Sequence, residues 1–178
     1  MYNKGVLTAE GAEKDNGITP DYAVKPLIPY IRDMGYKRIL CPFDTENSAY
    51  VRVLSDAGFK VSHRHISEGK NFFNLMSTNA DIIISNPPYS MKDRVLNKLF
   101  KLNKPFAMLL PLSALQSTKR TPLFRFYDVE LMVFDRRICF YDADNPSKYL
   151  KGIAFATGYF CRKLLPSKLV YEIIKEEL

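Results

Sequence analysis

Residues 81–89 read Asp81-Ile82-Ile83-Ile84-Ser85-Asn86-Pro87-Pro88-Tyr89, an apolar run of strand length that ends abruptly in an amide, two prolines and an aromatic ring. Three consecutive β-branched isoleucines suit a strand covered on both faces. Pro87 and Pro88 have no N–H with which to continue a ladder, so the strand must stop at Asn86. It reads as a buried strand feeding an active-site loop.

That loop has a definite chemical capacity. Asn86 offers a side-chain carbonyl and Pro87 a main-chain one, so two acceptors can converge on a single NH2 group. An amino nitrogen conjugated to a ring is a poor nucleophile. Acceptors lying out of the ring plane draw it toward tetrahedral geometry and free its lone pair without a strong base. Tyr89 would stack on the planar group and hold it. A base inside a duplex cannot enter such a pocket and would have to be flipped out.

Asn86-Pro87-Pro88-Tyr89 resembles the catalytic motif of S-adenosylmethionine-dependent amino-methyltransferases, and its position directly after a predicted strand is the context that motif requires. The resemblance implies a Rossmann-like α/β fold, with a mostly parallel sheet, an antiparallel strand near the C-terminus, and Asn86, Pro87, Pro88 and Tyr89 as the catalytic tetrad. The family is best known for methylating adenine N6 in DNA. Relatives act on RNA adenine or on the glutamine amide (N5) of proteins.

The rest of the chain is read around this motif. Its 178 residues, 47% hydrophobic and 25% charged, suit one globular domain over residues 1–178, with 1–17 a polar arm and no separate target-recognition domain. The longest apolar stretch, Phe106 to Leu115, is interrupted by Pro111 and falls far short of the roughly 20 residues of a membrane helix. With no signal peptide at the N-terminus, the expectation is a cytoplasmic protein without membrane attachment. Cys41, Cys139 and Cys161 are odd in number and widely spaced, and are expected to be buried thiols. His63 and His65 share one face of a strand but have no further ligands at metal spacing, so no metal is expected.

Charge is unevenly placed. Residues 1–89 hold ten Lys and Arg against ten Asp and Glu, residues 90–178 sixteen against nine, so the whole excess of +7 follows the tetrad. This favours a polyanionic partner for the second half. Lys119 and Arg120, in a polar loop expected on the tetrad's edge of the sheet, are predicted to touch phosphates.

In chain order, Thr19 reads as the N-cap of a short or broken helix with Pro20 at its first position, and the resembled family places a similar Thr-Pro stretch in its cofactor pocket. Lys37 to Cys41 forms a strand, followed by the loop Pro42-Phe43-Asp44 and a helix stopped by Gly58. The family's loop here is usually glycine-rich, and this one has no glycine; Asp44 stands for the loop's acidic residue, and Asn47 or Ser48 would add polar contacts to the cofactor. A small phage-type group of adenine methyltransferases carries a similar Pro-Phe-Asp loop and a following Asn-Ser. Phe59 to Ile66 is the second strand. Beyond it, Asn71-Phe72-Phe73 resembles the segment that contacts the cofactor's adenine, with Glu68 the nearest acid for its ribose.

The fourteen residues between Ile66 and Asp81 are too few for a helix, a strand and another helix, so the sheet is expected to be trimmed at that edge. Ser90 is read as the N-cap of the next helix. Val129–Phe134, Ile138–Tyr141 and Ile153–Cys161 are read as the last strands, and the segment from Leu169 as a closing amphipathic helix. Arg136-Arg137-Ile138-Cys139-Phe140 resembles a late family motif whose aromatic, Phe140 or Tyr141, holds the target base. Lys148 and Lys151 lie in the polar connection that follows.

These readings converge on methyl transfer from S-adenosylmethionine to adenine N6 in double-stranded DNA, with Lys119, Arg120, Arg136, Arg137, Phe140, Lys148 and Lys151 facing the nucleic acid. Specificity would rest on a few loop residues, a specificity subunit or a homodimer. The other readings are an RNA adenine or protein glutamine methyltransferase and, because the first loop lacks glycine, a nucleic-acid-binding module that keeps the fold without turnover.

Overall fold

A computed structural model describes residues 17–143, 145–150 and 155–174. Alternating elements β2 (Arg38–Cys41), α3 (Ala49–Asp56), β3 (Lys60–His63), β4 (Ile82–Ser85), α4 (Lys92–Leu102) and β5 (Phe106–Pro111) build the parallel half of a seven-stranded sheet. They are preceded by β1 (Gly17–Ile18), α1 (Asp21–Val24) and α2 (Leu27–Asp33). They are followed by α5 (Thr121–Tyr127), β6 (Glu130–Phe134), β7 (Tyr141–Asp142), β8 (Thr157–Arg162) and β9 (Leu169–Glu172). The order across the large sheet is β3-β2-β4-β5-β8-β6-β9, with β8 running against both neighbours and every other pair parallel.

Strand composition explains these places. β4, β5 and β8 are buried at every position, as the Ile-rich and Phe-Ala-Met-Leu-Leu sequences dictate, and they form the centre. β3 alternates exposed and half-buried residues and lies at one edge. Residues 64–81 contain only two short 3-10 turns, so the sheet is trimmed at that edge as the spacing predicts. Side-chain alternation splits the core. Ile82, Ile84, Ala107 and Leu109 pack under α1–α3, while Ile83, Phe106, Met108 and Leu110 pack under α4. Gly158 lets β8 slot between its neighbours, since a Cβ there would lie 2.7 Å from the Met132 carbonyl oxygen.

Several local expectations are corrected. Pro20, not Thr19, caps α1, and the Thr19 hydroxyl is used elsewhere. Ser90 falls within a 3-10 turn, and α4 begins at Lys92 behind Met91. The basic loop near residue 120 closes into α5, with Pro122 in its first turn. Ile138 to Cys139 is irregular, and only the two-residue β7 pairs, with β1. The closing segment is the strand β9, parallel to β6, rather than a helix. Its Val170 and Tyr171 are β-branched and aromatic and suit an edge strand. Cys139 is exposed, whereas Cys41 and Cys161 are buried as expected.

Candidate active site

The carboxyl ends of β2 and β4 are adjacent, and the loops leaving them carry most of the predicted site. Asp44, three residues past the end of β2, is nearly inaccessible and accepts hydrogen bonds from the Ser85 and Ser48 hydroxyls. Burial raises its pKa from 3.8 to about 6, against the opposing effect of those two donors. Ser48 also accepts from the Val51 amide at 3.5 Å and so starts α3, which fixes the loop's geometry. In place of glycines this loop carries Phe43, whose ring packs in an aromatic cluster with Phe72 (5.1 Å between centroids) and Phe73 (6.4 Å). The Arg94 guanidinium sits 3.8 Å from the centre of the Phe73 ring.

Asn71 spends its side-chain oxygen on the Phe73 amide, 2.9 Å away, capping the turn that presents both rings. Glu68 is bonded to Lys70 at 3.0 Å, which lowers its pKa, and it also lies 3.5 Å from His63. His65 caps its own turn through the Ser67 amide. Among the described residues no group of three metal-ligating side chains occurs. Pro42 is buried and Asn47 is exposed at the mouth of the loop.

Beyond β4 the Asn86 amide donates to Thr19 Oγ1 at 3.2 Å, and its Oδ1 is buried with no protein partner. An unpaired buried acceptor costs about 1–3 kcal/mol, a debt that a ligand N–H would cancel. The segments flanking Thr19 are tied down by three contacts. β1 pairs with β7, Tyr22 Oη accepts from the Cys139 amide at 2.9 Å, and Tyr159 Oη donates to the Ala23 carbonyl at 3.0 Å. The Tyr50 and Tyr159 hydroxyls meet at 2.9 Å in the core below. The Tyr89 ring stands edge-on to Phe155 at 5.6 Å, a neighbour that the sequence reading did not single out.

The order of these strands, the antiparallel β8 and the loops at the carboxyl edge have counterparts among solved structures. A Listeria monocytogenes protein assigned to the class I S-adenosylmethionine-dependent methyltransferases superposes with a TM-score of 0.53 and 12% identity, over 94% of this chain and 68% of that one. The fold is that of the S-adenosylmethionine-dependent methyltransferases. A Pyrococcus horikoshii protein assigned as an RNA methyltransferase matches with a TM-score of 0.50 and 14% identity, over 90% of this chain and 91% of that one. No family model and no curated protein matches this sequence.

On this methyltransferase fold the predicted nucleic-acid contacts separate into two groups. Lys119, Arg136, Arg137 and Lys148 are exposed, although Arg136 is paired with Asp135 at 3.2 Å. Arg120 is not offered to phosphate: it is buried, donates to the Ala114 carbonyl at 2.7 Å and to Asp93 at 2.6 Å, and braces α5 against α4. Phe140 is likewise withdrawn, packed in the core with its Cβ 2.9 Å from where a Cβ on Gly17 would stand. The half-buried Tyr141 stacks on Tyr149 at 5.0 Å. Lys151 lies outside the described residues. No helix among the described residues is long and apolar enough to cross a membrane.

Proposed function

We propose that this chain is an amino-methyltransferase that uses S-adenosylmethionine to methylate the N6 of adenine in DNA. The observation that carries the reading is the Asn86 amide oxygen, buried and unpaired at the carboxyl end of β4 while its nitrogen is held by Thr19. It is an acceptor waiting for an N–H donor, at the edge where open α/β sheets bind ligands.

The residues around β2 suit the cofactor. S-adenosylmethionine, when bound, supplies a methyl group carried on a cationic sulfonium. Asp44 is a buried carboxylate whose described hydrogen-bond donors are neutral hydroxyls; burial raises its pKa, and a cationic ligand beside it would favour the ionised form. The rings of Phe43, Phe72 and Phe73 offer apolar faces for an adenine, and Pro20, Asn47, Ser48, Glu68 and Asn71 would complete the lining, while Thr19 holds Asn86. Asn86 Oδ1 and the Pro87 carbonyl would hold the target amine, and Tyr89, backed by Phe155, would stack on its ring. The basic second half supports a nucleic-acid acceptor.

Methyl transfer from labelled S-adenosylmethionine to unmethylated DNA, RNA and protein, run in parallel with Asn86→Ala, tests the reading. Label in DNA that is recovered as N6-methyladenine and lost in the variant is the expected result. Label only in RNA, the substrate class of the Pyrococcus protein's assignment, or only in protein would replace the substrate and keep the chemistry. No label and no cofactor binding would leave a nucleic-acid-binding module.

A further inference from the structure

A second buried polar group without a partner lies at the same edge of the sheet. Thr157 opens β8 and is only 4% exposed, yet its Oγ1 has no hydrogen-bond partner. Its backbone is fixed against β5: Thr157 is paired with Pro111 at the end of that strand, and the preceding Ala156 carbonyl accepts from the Leu112 amide at 2.9 Å. Because β8 runs against β5, its first residue lies at the carboxyl edge of the parallel strands, level with the loop that carries the tetrad. By strand alternation Thr157 shares its face with Tyr159 and Cys161, the face covered by α1. Asn86 presents its amide to that same side, where Thr19 meets it.

Strand order places the two orphan groups relative to each other. One strand, β5, separates β4 from β8, and Thr157 pairs with Pro111, two residues past the position level with Asn86, so the two stand about 12 Å apart. Phe155, two residues before Thr157, meets the ring of Tyr89, three residues past Asn86, at 5.6 Å. Asp44 and the phenylalanine cluster lie on the other side of β4, toward β2 and β3. Thr157 therefore belongs to the half of the rim that faces away from the cofactor loop.

Resting on the proposed function, we infer that Thr157 is a specificity-determining residue for the methyl acceptor. Its hydroxyl hydrogen-bonds the far ring edge of the planar group whose amine is held at Asn86. A two-ring purine spans that distance between its hydrogen-bonding edges better than a single ring does. A site built to hydrogen-bond its ligand rejects analogues that leave the group unpaired.

Thr157→Val keeps the shape and removes only the hydroxyl, and Thr157→Ser restores it. Three quantities are measured on each variant: methyl transfer to the accepted substrate, binding of S-adenosylhomocysteine, and binding of oligo(dA) and oligo(dT) to the cofactor-loaded protein. The expected outcome for Thr157→Val is a kcat/KM lower by about tenfold, carried in the acceptor KM and largely recovered in Thr157→Ser. Cofactor affinity should be unchanged, the preference for oligo(dA) over oligo(dT) reduced, and the melting temperature equal or higher, because a buried unpaired hydroxyl has been removed.

Wild-type transfer and wild-type oligo(dA) preference in Thr157→Val would overturn the inference while leaving the proposed function standing. So would loss of cofactor binding in parallel with activity. If the wild-type protein transfers no methyl group, oligonucleotide binding decides: a preference for oligo(dA) that depends on Thr157 supports the acceptor site, and its absence overturns it.

Discussion

Ser85, the last residue of β4, donates its hydroxyl to the carboxylate of Asp44 in the loop after β2, so the strand that carries Asn86 and the loop that carries Phe43 are tied together beneath the rim. The tie is to a carboxylate whose charged form is disfavoured by burial, which makes this junction sensitive to pH.

Asp44 should impose a pH dependence on both stability and cofactor binding. Its folded pKa, about 6, lies above the ordinary 3.8, so the folded state binds the proton more tightly than the unfolded chain. The associated stability is fully present below 3.8 and is lost as pH rises through about 6, amounting to on the order of 3 kcal/mol. Asp44→Asn should flatten that part of the stability-pH curve in denaturant titrations and raise the melting temperature at neutral pH. A cationic cofactor favours the ionised carboxylate, so its affinity in calorimetry should fall as pH drops through 6. In Asp44→Asn the affinity should be weak and nearly independent of pH there.

Thr19 acts on Asn86 rather than on substrate. Thr19→Val removes the acceptor that holds the amide nitrogen and lets the amide turn, so kcat should fall by about tenfold while S-adenosylhomocysteine affinity changes little. Thr19→Ser should recover most of the rate. A loss of cofactor binding equal to the loss of rate would assign Thr19 to the cofactor instead.

The buried tyrosines give a stability contrast. Tyr159→Phe leaves the Ala23 carbonyl and the Tyr50 hydroxyl without their partner, a cost of about 1–3 kcal/mol. Tyr50→Phe leaves the bond to Ala23 intact and should cost less than about 1 kcal/mol. Urea titration of the two variants measures the difference, and equal losses would contradict the arrangement.

Arg120 and Lys119 are neighbours in sequence with opposite expected phenotypes. Arg120→Ala strands the Ala114 and Gln116 carbonyls and should lower stability by about 2 kcal/mol, with the salt dependence of nucleic-acid binding unchanged. Lys119→Ala should leave stability alone and reduce the salt slope by about one unit if it meets a phosphate.

What the sequence revealed and what it hid follow from the range of the forces involved. The Ile82–Ile84 run, the proline stop and the Ser48 cap are local signals, and β4, its turn and the start of α3 appear where those residues dictate. The trimmed edge was legible from chain length alone. The segment after Leu169 was not, because Leu169, Val170, Ile173 and Ile174 fit a helix spacing and also border an alternating strand; the vacant edge of β6 decides between them. Arg120 reads as a phosphate ligand until Asp93, on another element, claims it. Phe140 reads as a base clamp until β1 folds across it. Thr157 gave no signal, since its interest lies in a missing partner that only the packed structure reveals.

The insertion of β8 between β5 and β6 constrains the birth of the molecule. β6 leaves the ribosome before β8 yet, among the described residues, pairs with the central strands only through it, so a nascent chain ending before residue 162 would hold β6 with no central strand to join and would lack the Tyr159 bond to Ala23. The half of the site formed by β2 and β4 can take shape early, from contacts near in sequence. The acceptor half must wait for β8, which has to pair with β5 and bring β6 with it, a late, long-range step of the kind that slows folding. On the proposed function, synthesis would thus complete the cofactor side of the protein first and its substrate side last.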